Sequence, residues 1–331
     1  MKQKSKGFFL SILFFLIISL MLTGWVKPVQ SQEKYPTRAI NIIVPFNPGG
    51  TSDLLARLVG DSLSKKWGVP VNVMNKAGGG AIPATLEVYN SVPDGYTMMS
   101  DTNSSCTLQE IAFKELPFKV LDRTFIAMVM VQPYFFMASV ASSLKTLKDA
   151  ANDAKDDPGN FTWTSLGGTG GHDFAARQMF KGFGVDVTKT KPVICKGSAE
   201  TVTLTAGGHV KLGISSPPGF LTIYKGGKAR GLAITTTAKG RLPEAPDVPT
   251  SAEAGYPTLT YVGWTGVVGP PKLPSHIVEK WDKSLREIFS DQEMISKLSK
   301  IGCDMNYLSG HEFREYVRKE IAEARELWGM K

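Results

Sequence analysis

The segment 40–67 most constrains the fold, because it joins a strand pattern to a helix pattern through a glycine turn. Residues 40–44 are mainly apolar and β-branched, and Asn47-Pro48-Gly49-Gly50 follows them. Apolar residues at 55, 59, 63 and 67 then fall on one face of a helix that ends at Gly68. The first N–H groups of a helix lack backbone partners and carry partial positive charge, so such a turn attracts anions. The turn contains no nucleophile, histidine or cysteine, and it therefore predicts a site that holds an anion without reacting with it.

Strand and helix patterns continue to alternate after this segment. Residues 69–74 and 96–100 have strand patterns, and residues 81–90 between them have a helix pattern. This spacing predicts βαβ units and a parallel sheet. Ligands of such sheets bind at the carboxyl ends of the strands, where we expect the loops 47–53, 75–80 and 101–105 to meet.

The second half of the chain repeats the alternation. Residues 125–140 predict one or two strands that cross into a second lobe, and a strand at 161–165 leads through a glycine turn to a helix beginning near His172. A further strand at 192–195 leads through Lys196-Gly197-Ser198 to a helical segment at 199–206. Two glycine turns at helix starts predict two lobes that face each other across a cleft. We expect the helix starts near Thr51 and His172 to point at one shared ligand.

The C-terminal tail has a helical pattern. Apolar residues at 277, 281, 285 and 288 share one face, and two capping boxes are predicted, one at Ser290 and Glu293 and one at Ser309 and Glu312. These apolar stripes predict core packing.

The first residues have the layout of a secretory signal peptide. Lys2, Lys4 and Lys6 form a basic head, and residues 8–22 form an apolar core that is short for a spanning helix. We therefore predict a signal peptide over residues 1–31 and a periplasmic or secreted protein. No Ala-x-Ala site is present, so an uncleaved N-terminal anchor remains the alternative. No cysteine lies nearby, and the sequence does not support a lipid anchor.

Charge and cysteine usage exclude several classes of protein. The formal net charge is +8, of which the four lysines of residues 1–31 contribute half. The remaining chain is only mildly basic and has no basic cluster with interleaved aromatics, so nucleic acid is not an expected partner. Cys106, Cys195 and Cys303 lie far apart without metal-ligand spacing. They permit one disulfide at most, and three buried thiols are the alternative.

The usual catalytic signatures are missing from the sequence. There is no phosphate-binding Gly-x-x-x-x-Gly-Lys-Ser/Thr motif, and the 167–171 glycine run lacks Gly-x-Gly-x-x-Gly spacing. His311-Glu312 is not followed by the second histidine of a zinc motif, and the four histidines are scattered. We predict no catalytic residue, no metal and no cofactor.

Two residues near the predicted turns allow more than one role. His172 could hydrogen-bond an anionic ligand or cap its helix. Asp53 complements the positive start of its helix, but its charge has the wrong sign for direct contact with an anion. It could instead shape the loop or pair with a donor group of the ligand.

Several of these motifs together resemble the tripartite tricarboxylate transporter substrate-binding family, also called Bug receptors. The resemblance rests on Tyr35-Pro36, on Val44-Pro45-Phe46 with Pro48-Gly49-Gly50, on Pro93-Asp94-Gly95-Tyr96-Thr97, and on Asp247-Val248-Pro249-Thr250. It extends over residues 35–328 in the order of the family.

The resemblance implies a two-lobed α/β type II periplasmic-binding-protein fold, or Venus flytrap, in which each lobe is a mainly parallel sheet flanked by helices. Lobe 1 is then expected in residues 35–130 and 255–331, and lobe 2 in residues 131–254. It implies a monomeric receptor that captures a small mono-, di- or tricarboxylate and delivers it to the membrane permease of a secondary transporter. A ligand sensor for a membrane signalling protein and an exported hydrolase on the same fold are the alternatives. The implied ligand-binding residues are Phe46, Asn47, Gly49, Gly50, Thr51, Asp53, Asn75, Asn103, Ser104, Ser165, Thr169, Gly170, His172, Lys196, Gly197 and Ser198.

The sequence departs from the family pattern at the rim of the expected cleft. Lys76-Ala77 replaces the usual Arg-Pro, and Pro83 stands where glycine is common. These departures bear on which acid is bound and not on the fold.

Overall fold

The computed structural model describes residues 34–168, 170–235 and 240–330. The predicted signal peptide lies outside these residues, as does Thr169. The strands are β1 Ile40–Val44, β2 Val71–Asn75, β3 Thr97–Thr102, β4 Thr124–Gln132, β5 Phe135–Ser139, β6 Thr162–Ser165, β7 Lys191–Ile194, β8 Gly213–Ser215, β9 Ala229–Ile234, β10 Gly263–Gly269 and β11 Asp304–Ser309.

The α-helices are α1 Thr51–Trp67, α2 Ile82–Tyr89, α3 Gln109–Ala112, α4 Leu147–Asp156, α5 Gly171–Phe183, α6 Ser198–Ala206, α7 Pro217–Lys225, α8 Ser275–Ser290, α9 Gln292–Lys300 and α10 Gly310–Leu327. Within the described part of the chain, none of them is both long enough and apolar enough to span a membrane.

The first lobe is built on a six-stranded sheet in the order β11-β4-β10-β3-β1-β2. β1 pairs in parallel with β2 and β3, as the βαβ pattern predicts. β10 lies between β3 and β4 and is antiparallel to both. These strands come from two separate stretches of chain, residues 40–132 and 263–309.

The second lobe takes its strands from residues 135–234. β5 pairs antiparallel with β8 and β9, and β6 pairs in parallel with β7. The predicted two-lobed α/β fold is confirmed, but the expectation of mainly parallel sheets is wrong. β4 leaves the first lobe at the carboxyl ends of its strands, so β10, which returns there, must run the other way. For the same reason β5 enters the second lobe opposite to β9, which leaves it.

The C-terminal helices pack as the apolar stripes predict. Ile277, Trp281, Leu285 and Ile288 of α8 are all buried. The indole of Trp281 meets that of Trp67 edge to face, with ring centroids 5.0 Å apart. The apolar face of α8 therefore packs into the core of the first lobe.

Of the two predicted capping boxes, one is confirmed and one is wrong. The Glu312 carboxylate accepts from the Ser309 amide at 2.9 Å, and this cap opens α10 as predicted. Ser290 instead ends α8, where its hydroxyl donates to the Glu287 carbonyl. The cap of α9 is Asp291, whose carboxylate accepts from the Glu293 amide at 2.7 Å. Asp291 stands at the N-cap position and reaches the second helical amide, whereas Ser290 is still the last residue of α8 and lies one position too early.

The three cysteines are free and buried. Burial raises the pKa of each thiol, so none is a ready thiolate. The alternative of three buried thiols therefore describes the structure.

Candidate functional site

The first glycine turn is held in shape by Asp53, the third residue of α1. Its carboxylate accepts from the Gly49 amide at 2.9 Å, from the Arg57 guanidinium at 2.9 and 3.1 Å, and from the Asn75 amide at 2.9 Å. Asn75 also donates to the Phe46 carbonyl at 3.1 Å. Burial by itself would raise the pKa of Asp53, but these hydrogen bonds outweigh it and lower the pKa. Asp53 and Asn75 thus brace the loop from behind.

The start of α1 lies open at this turn. Gly50 occupies the N-cap position and no side chain caps the helix. Gly49 has a φ of 89°, which only glycine adopts easily, whereas Gly50 has an ordinary extended conformation. The first-turn amides of Thr51 and Ser52 have no partner within the helix, because a helix begins with unpaired N–H groups.

The second glycine turn is also held in shape by an aspartate at the third position of the following helix. Asp173, the third residue of α5, accepts from the Leu166 amide at 3.0 Å, from the Gly170 amide at 2.9 Å and from the Ser165 hydroxyl. Burial raises the pKa of Asp173 despite these bonds. Ser165 and Gly170 therefore stabilise the turn.

The two lobes meet where the second turn contacts the loop after β3. The Gly171 amide donates to the Ser104 hydroxyl at 2.8 Å. A Cβ at Gly171 would lie 1.8 Å from the Tyr134 phenol oxygen, so only glycine allows this approach. Gly197 of the second lobe lies beside Phe46 and Asn47, with 3.8 Å from its Cβ position to each.

A cavity of about 50 Å³ lies between these loops. One buried water occupies roughly 10–15 Å³ by this measure, so the cavity suits a small molecule. It brings together nine of the sixteen predicted residues, namely Phe46, Asn47, Gly50, Thr51, Asn103, Ser104, His172, Gly197 and Ser198. The prediction omitted Ser52, Thr102, Gln132, Tyr134, Leu166 and Ser216, which also line it.

The other predicted residues lie around this cavity without lining it. They are Gly49, Asp53, Asn75, Ser165, Gly170 and Lys196, and Thr169 is outside the described residues. The Lys196 side chain is exposed, and its backbone amide donates to the Glu200 carboxylate at 2.7 Å. Ligand contacts by these residues stay a prediction.

Some omitted residues had a signal in the sequence and others did not. Ser52 and Thr102 directly adjoin predicted residues, so a wider reading of each loop would have included them. Gln132 and Tyr134 flank the point where the chain leaves β4, and Ser216 precedes α7, a helix that the sequence patterns did not single out. Their place in the cavity depends on tertiary pairing.

The cavity offers neutral donors rather than charges. No lysine or arginine is among its described lining residues. His172 is 4% exposed, and burial lowers its pKa to about 4, so the ring is neutral near pH 7. Thr51 Oγ1, Gln132 Oε1 and His172 Nδ1 are buried and have no hydrogen-bond partner among the described residues. Such groups are costly unless something bonds them, which marks them as candidate ligand contacts.

The contact between His172 and Ser198 in the cavity lacks features that a catalytic serine needs. His172 Nε2 lies 3.4 Å from the Ser198 hydroxyl, but a serine nucleophile needs a histidine that a third group orients. His172 Nδ1 has no such partner among the described residues, and its lowered pKa makes it a poor base. No cluster of three or more potential metal ligands occurs in the described ranges.

Comparisons with known proteins find a family, relatives and solved structures that this chain resembles. Residues 55–328 match the family described as tripartite tricarboxylate transporter family receptor. Protein BugT of Bordetella pertussis is 28% identical over 309 residues, covering 92% of each chain. An R. palustris protein solved with adipate is 25% identical with a TM-score of 0.82, covering 89% of this chain and 98% of its own. MatC from Rhodopseudomonas palustris, solved with bound malate, is 23% identical with a TM-score of 0.82, covering 88% and 99%, and shares the fold.

Proposed function

Because the chain belongs to the tripartite tricarboxylate transporter receptor family, which it matches over residues 55–328, we propose that it captures a small carboxylate between its lobes and delivers it to membrane permease subunits of a tripartite transporter. Family members are periplasmic solute-binding receptors, so the proposal includes export of this protein. The proposal also includes that the protein acts as a monomer. The predicted signal peptide over residues 1–31 supports export.

The uncapped start of α1 is the observation that carries the proposal. Gly50, Thr51 and Ser52 line the cavity there, and the Thr51 hydroxyl has no partner among the described residues. A carboxylate placed at this helix start would accept from backbone amides and from the hydroxyl, and the helix dipole would favour its charge. Asp53, which could repel it, is fully engaged behind the loop.

The far side of the cavity supports a ligand with a second polar end. His172, Ser198 and Ser216 line it, and the two serine hydroxyls lie 3.0 Å apart. Neutral donors of this kind can hold a second carboxylate or a hydroxyl group. The adipate seen in the R. palustris relative is consistent with a dicarboxylate.

A binding screen tests the proposal directly. The purified mature protein is heated with mono-, di- and tricarboxylates, malate and adipate among them. A ligand at 100 times its Kd stabilises the folded state by about 2.7 kcal/mol, which a thermal shift detects. If no acid in the panel raises the unfolding temperature at millimolar concentration, the proposed function is wrong.

The variant Gly50→Val tests whether the ligand binds at the first glycine turn. Apart from its two neighbours in the chain, no residue has an atom within 4 Å of a Cβ at Gly50, and its φ is ordinary, so the variant should fold. The added side chain at the cavity wall should block the amides. Two charge-assisted hydrogen bonds at about 1.5–3 kcal/mol each correspond to a loss of two or more orders of magnitude in affinity. Gly159→Val, at an exposed position of a 3-10 helix where the added Cβ would meet only Asp157 Oδ1 at 3.9 Å, is the control and should bind normally.

The exported hydrolase is the second candidate, and the contact between His172 and Ser198 is its only support in the described structure. A bound acid or its ester recovered unchanged after prolonged incubation supports the receptor. Turnover that Ser198→Ala abolishes would support the hydrolase.

A further inference from the structure

A buried carboxyl group, Glu320 of α10, lies behind the cavity. It is 6% exposed. Trp264 Nε1 donates to its Oε2 at 2.8 Å, as does the Thr107 hydroxyl, and the Tyr261 hydroxyl donates to its Oε1 at 3.4 Å. No cation among the described residues pairs with it. Burial raises the pKa of Glu320 to about 7, although the three hydrogen bonds oppose this.

Hydrogen bonds connect this carboxyl group to the cavity wall. The Asn103 side-chain amide donates to the Tyr261 hydroxyl, and Asn103 Oδ1 accepts from the Ser104 backbone amide at 3.1 Å. The Ser104 hydroxyl in turn accepts from Gly171 at 2.8 Å. Asn103 and Ser104 both line the cavity. The chain of bonds therefore runs from α10 to the contact between the lobes.

We propose that Glu320 is a positioning residue for the carboxylate site, which acts through Tyr261 to hold Asn103 and Ser104 in place and makes ligand affinity depend on its ionisation.

The direction of the hydrogen bonds decides which form favours binding. Tyr261 has one hydroxyl proton, and it gives this proton to ionised Glu320 while its oxygen accepts from Asn103. A protonated Glu320 would donate to Tyr261, whose own proton would then face the Asn103 NH₂ group. Relief requires the Asn103 amide to flip, and this places a donor against the Ser104 N–H. Ionised Glu320 is therefore the form that stabilises the cavity wall.

Other groups near Glu320 do not account for a response at neutral pH. Its charged and titratable neighbours are Tyr316, Lys319 and Glu323 on the same helix, and Cys106, Glu110, Tyr134 and Tyr261 from elements packed against it. Burial raises the pKa of the thiol and of the three phenols, away from neutrality. Glu110 is 3.7 Å from Arg325, and Lys319 and Glu323 are exposed.

The pH profile of affinity is the first test, and it rests on the proposed function. Malate or adipate, whichever binds the wild type more tightly, is titrated calorimetrically between pH 6 and pH 8, where its own carboxyl groups are largely ionised. With a pKa of about 7, the ionised fraction of Glu320 rises about tenfold over this range, so Kd should fall about tenfold. Glu320→Gln, which is uncharged at every pH, should bind with a flat profile and more weakly than the wild type throughout this range. Glu326→Gln, at an exposed position of the same helix, is the matched control and should keep the wild-type profile.

A second readout needs no ligand. The side-chain amide resonances of Asn103 in ¹⁵N-labelled protein should shift between pH 6 and pH 8 in the wild type and stay constant in Glu320→Gln and Tyr261→Phe. If no acid of the whole carboxylate panel binds, the proposed function fails, while this titration still tests the link between Glu320 and Asn103. A flat wild-type profile, an unshifted Asn103 amide, or an unchanged profile in Glu320→Gln would each overturn the inference.

Discussion

Replacing Thr51 by valine should separate ligand contact from fold stability. Thr51 is the first residue of α1 and is 5% exposed at the cavity wall, where its hydroxyl has no partner among the described residues. Valine keeps the shape and removes only the hydroxyl. Because a buried hydroxyl without a partner costs about 1–3 kcal/mol, the ligand-free variant should be at least as stable as the wild type.

The effect on binding has the opposite sign. A hydroxyl that donates to a carboxylate contributes about 1.5–3 kcal/mol, so Thr51→Val should raise Kd about 10- to 150-fold. Thr265→Val is the matched control. The Thr265 hydroxyl is also fully buried without a partner among the described residues, but it lies in β10 and does not line the cavity. This variant should likewise keep its stability and should bind normally.

Calorimetry and urea unfolding on the same preparations measure both quantities. Unchanged affinity in Thr51→Val would mean that the acid does not contact this hydroxyl, and the placement of the carboxylate at α1 would be refuted. An equal loss in Thr265→Val would attribute the effect to packing and would refute it as well. A large loss of stability in Thr51→Val would show that the hydroxyl has a structural partner.

Two further predictions concern stability. Burial lowers the pKa of His172 from 6.5 to about 4, so between these pH values the unfolded chain binds a proton that the folded chain does not; His172 therefore costs up to about 3 kcal/mol of stability as the pH falls from 6.5 to 4. In urea unfolding at several pH values, His172→Asn should remove this dependence of stability on pH, and an unchanged dependence would contradict the lowered pKa. Arg123 and Asp101 form a fully buried ion pair at 3.0 Å, so Asp101→Asn, which leaves the arginine without its partner, should lower the free energy of unfolding by about 3–5 kcal/mol. The double variant Asp101→Asn with Arg123→Met should recover much of this loss, and equal stabilities of the single and double variants would argue against the pair.

The sequence predicts best those helices and strands whose own residues have a clear apolar pattern and a clear end signal. The helix from Thr51 to Trp67 follows from its apolar face and from Gly68, which ends it in the left-handed conformation. The strand Gly263–Gly269 has a much weaker pattern, because three of its seven residues are glycine. It forms because β3 and β4 pair with it from both sides. A Cβ at Gly266 would lie 2.6 Å from the Phe313 ring, so this strand needs glycine for the packing of α10 and not for a turn.

The candidate site divides in the same way. The turn residues Asn47, Gly50 and Thr51 were predictable because one short segment contains the strand end, the turn and the helix start. Tyr134 was not predictable, because its place depends on the crossing of the chain between lobes. The role of Asp53 was ambiguous because a carboxylate in the first turn of a helix can either hold the loop or face a ligand. Its bonds to Gly49 and Asn75 assign it to the loop.

The two glycine turns share a construction but differ in what their helix starts bond. In each, an aspartate at the third helical position accepts from amides of the turn. At the second turn the Gly171 amide is already bonded to the Ser104 hydroxyl of the other lobe. The Gly171 amide therefore joins the lobes, while His172 of the same helix start lines the cavity; that both helix starts point at one shared ligand stays a prediction. A carboxylate at the start of α1 would then leave the far end of the ligand to the side chains of the second lobe, so those side chains should set which acid is bound.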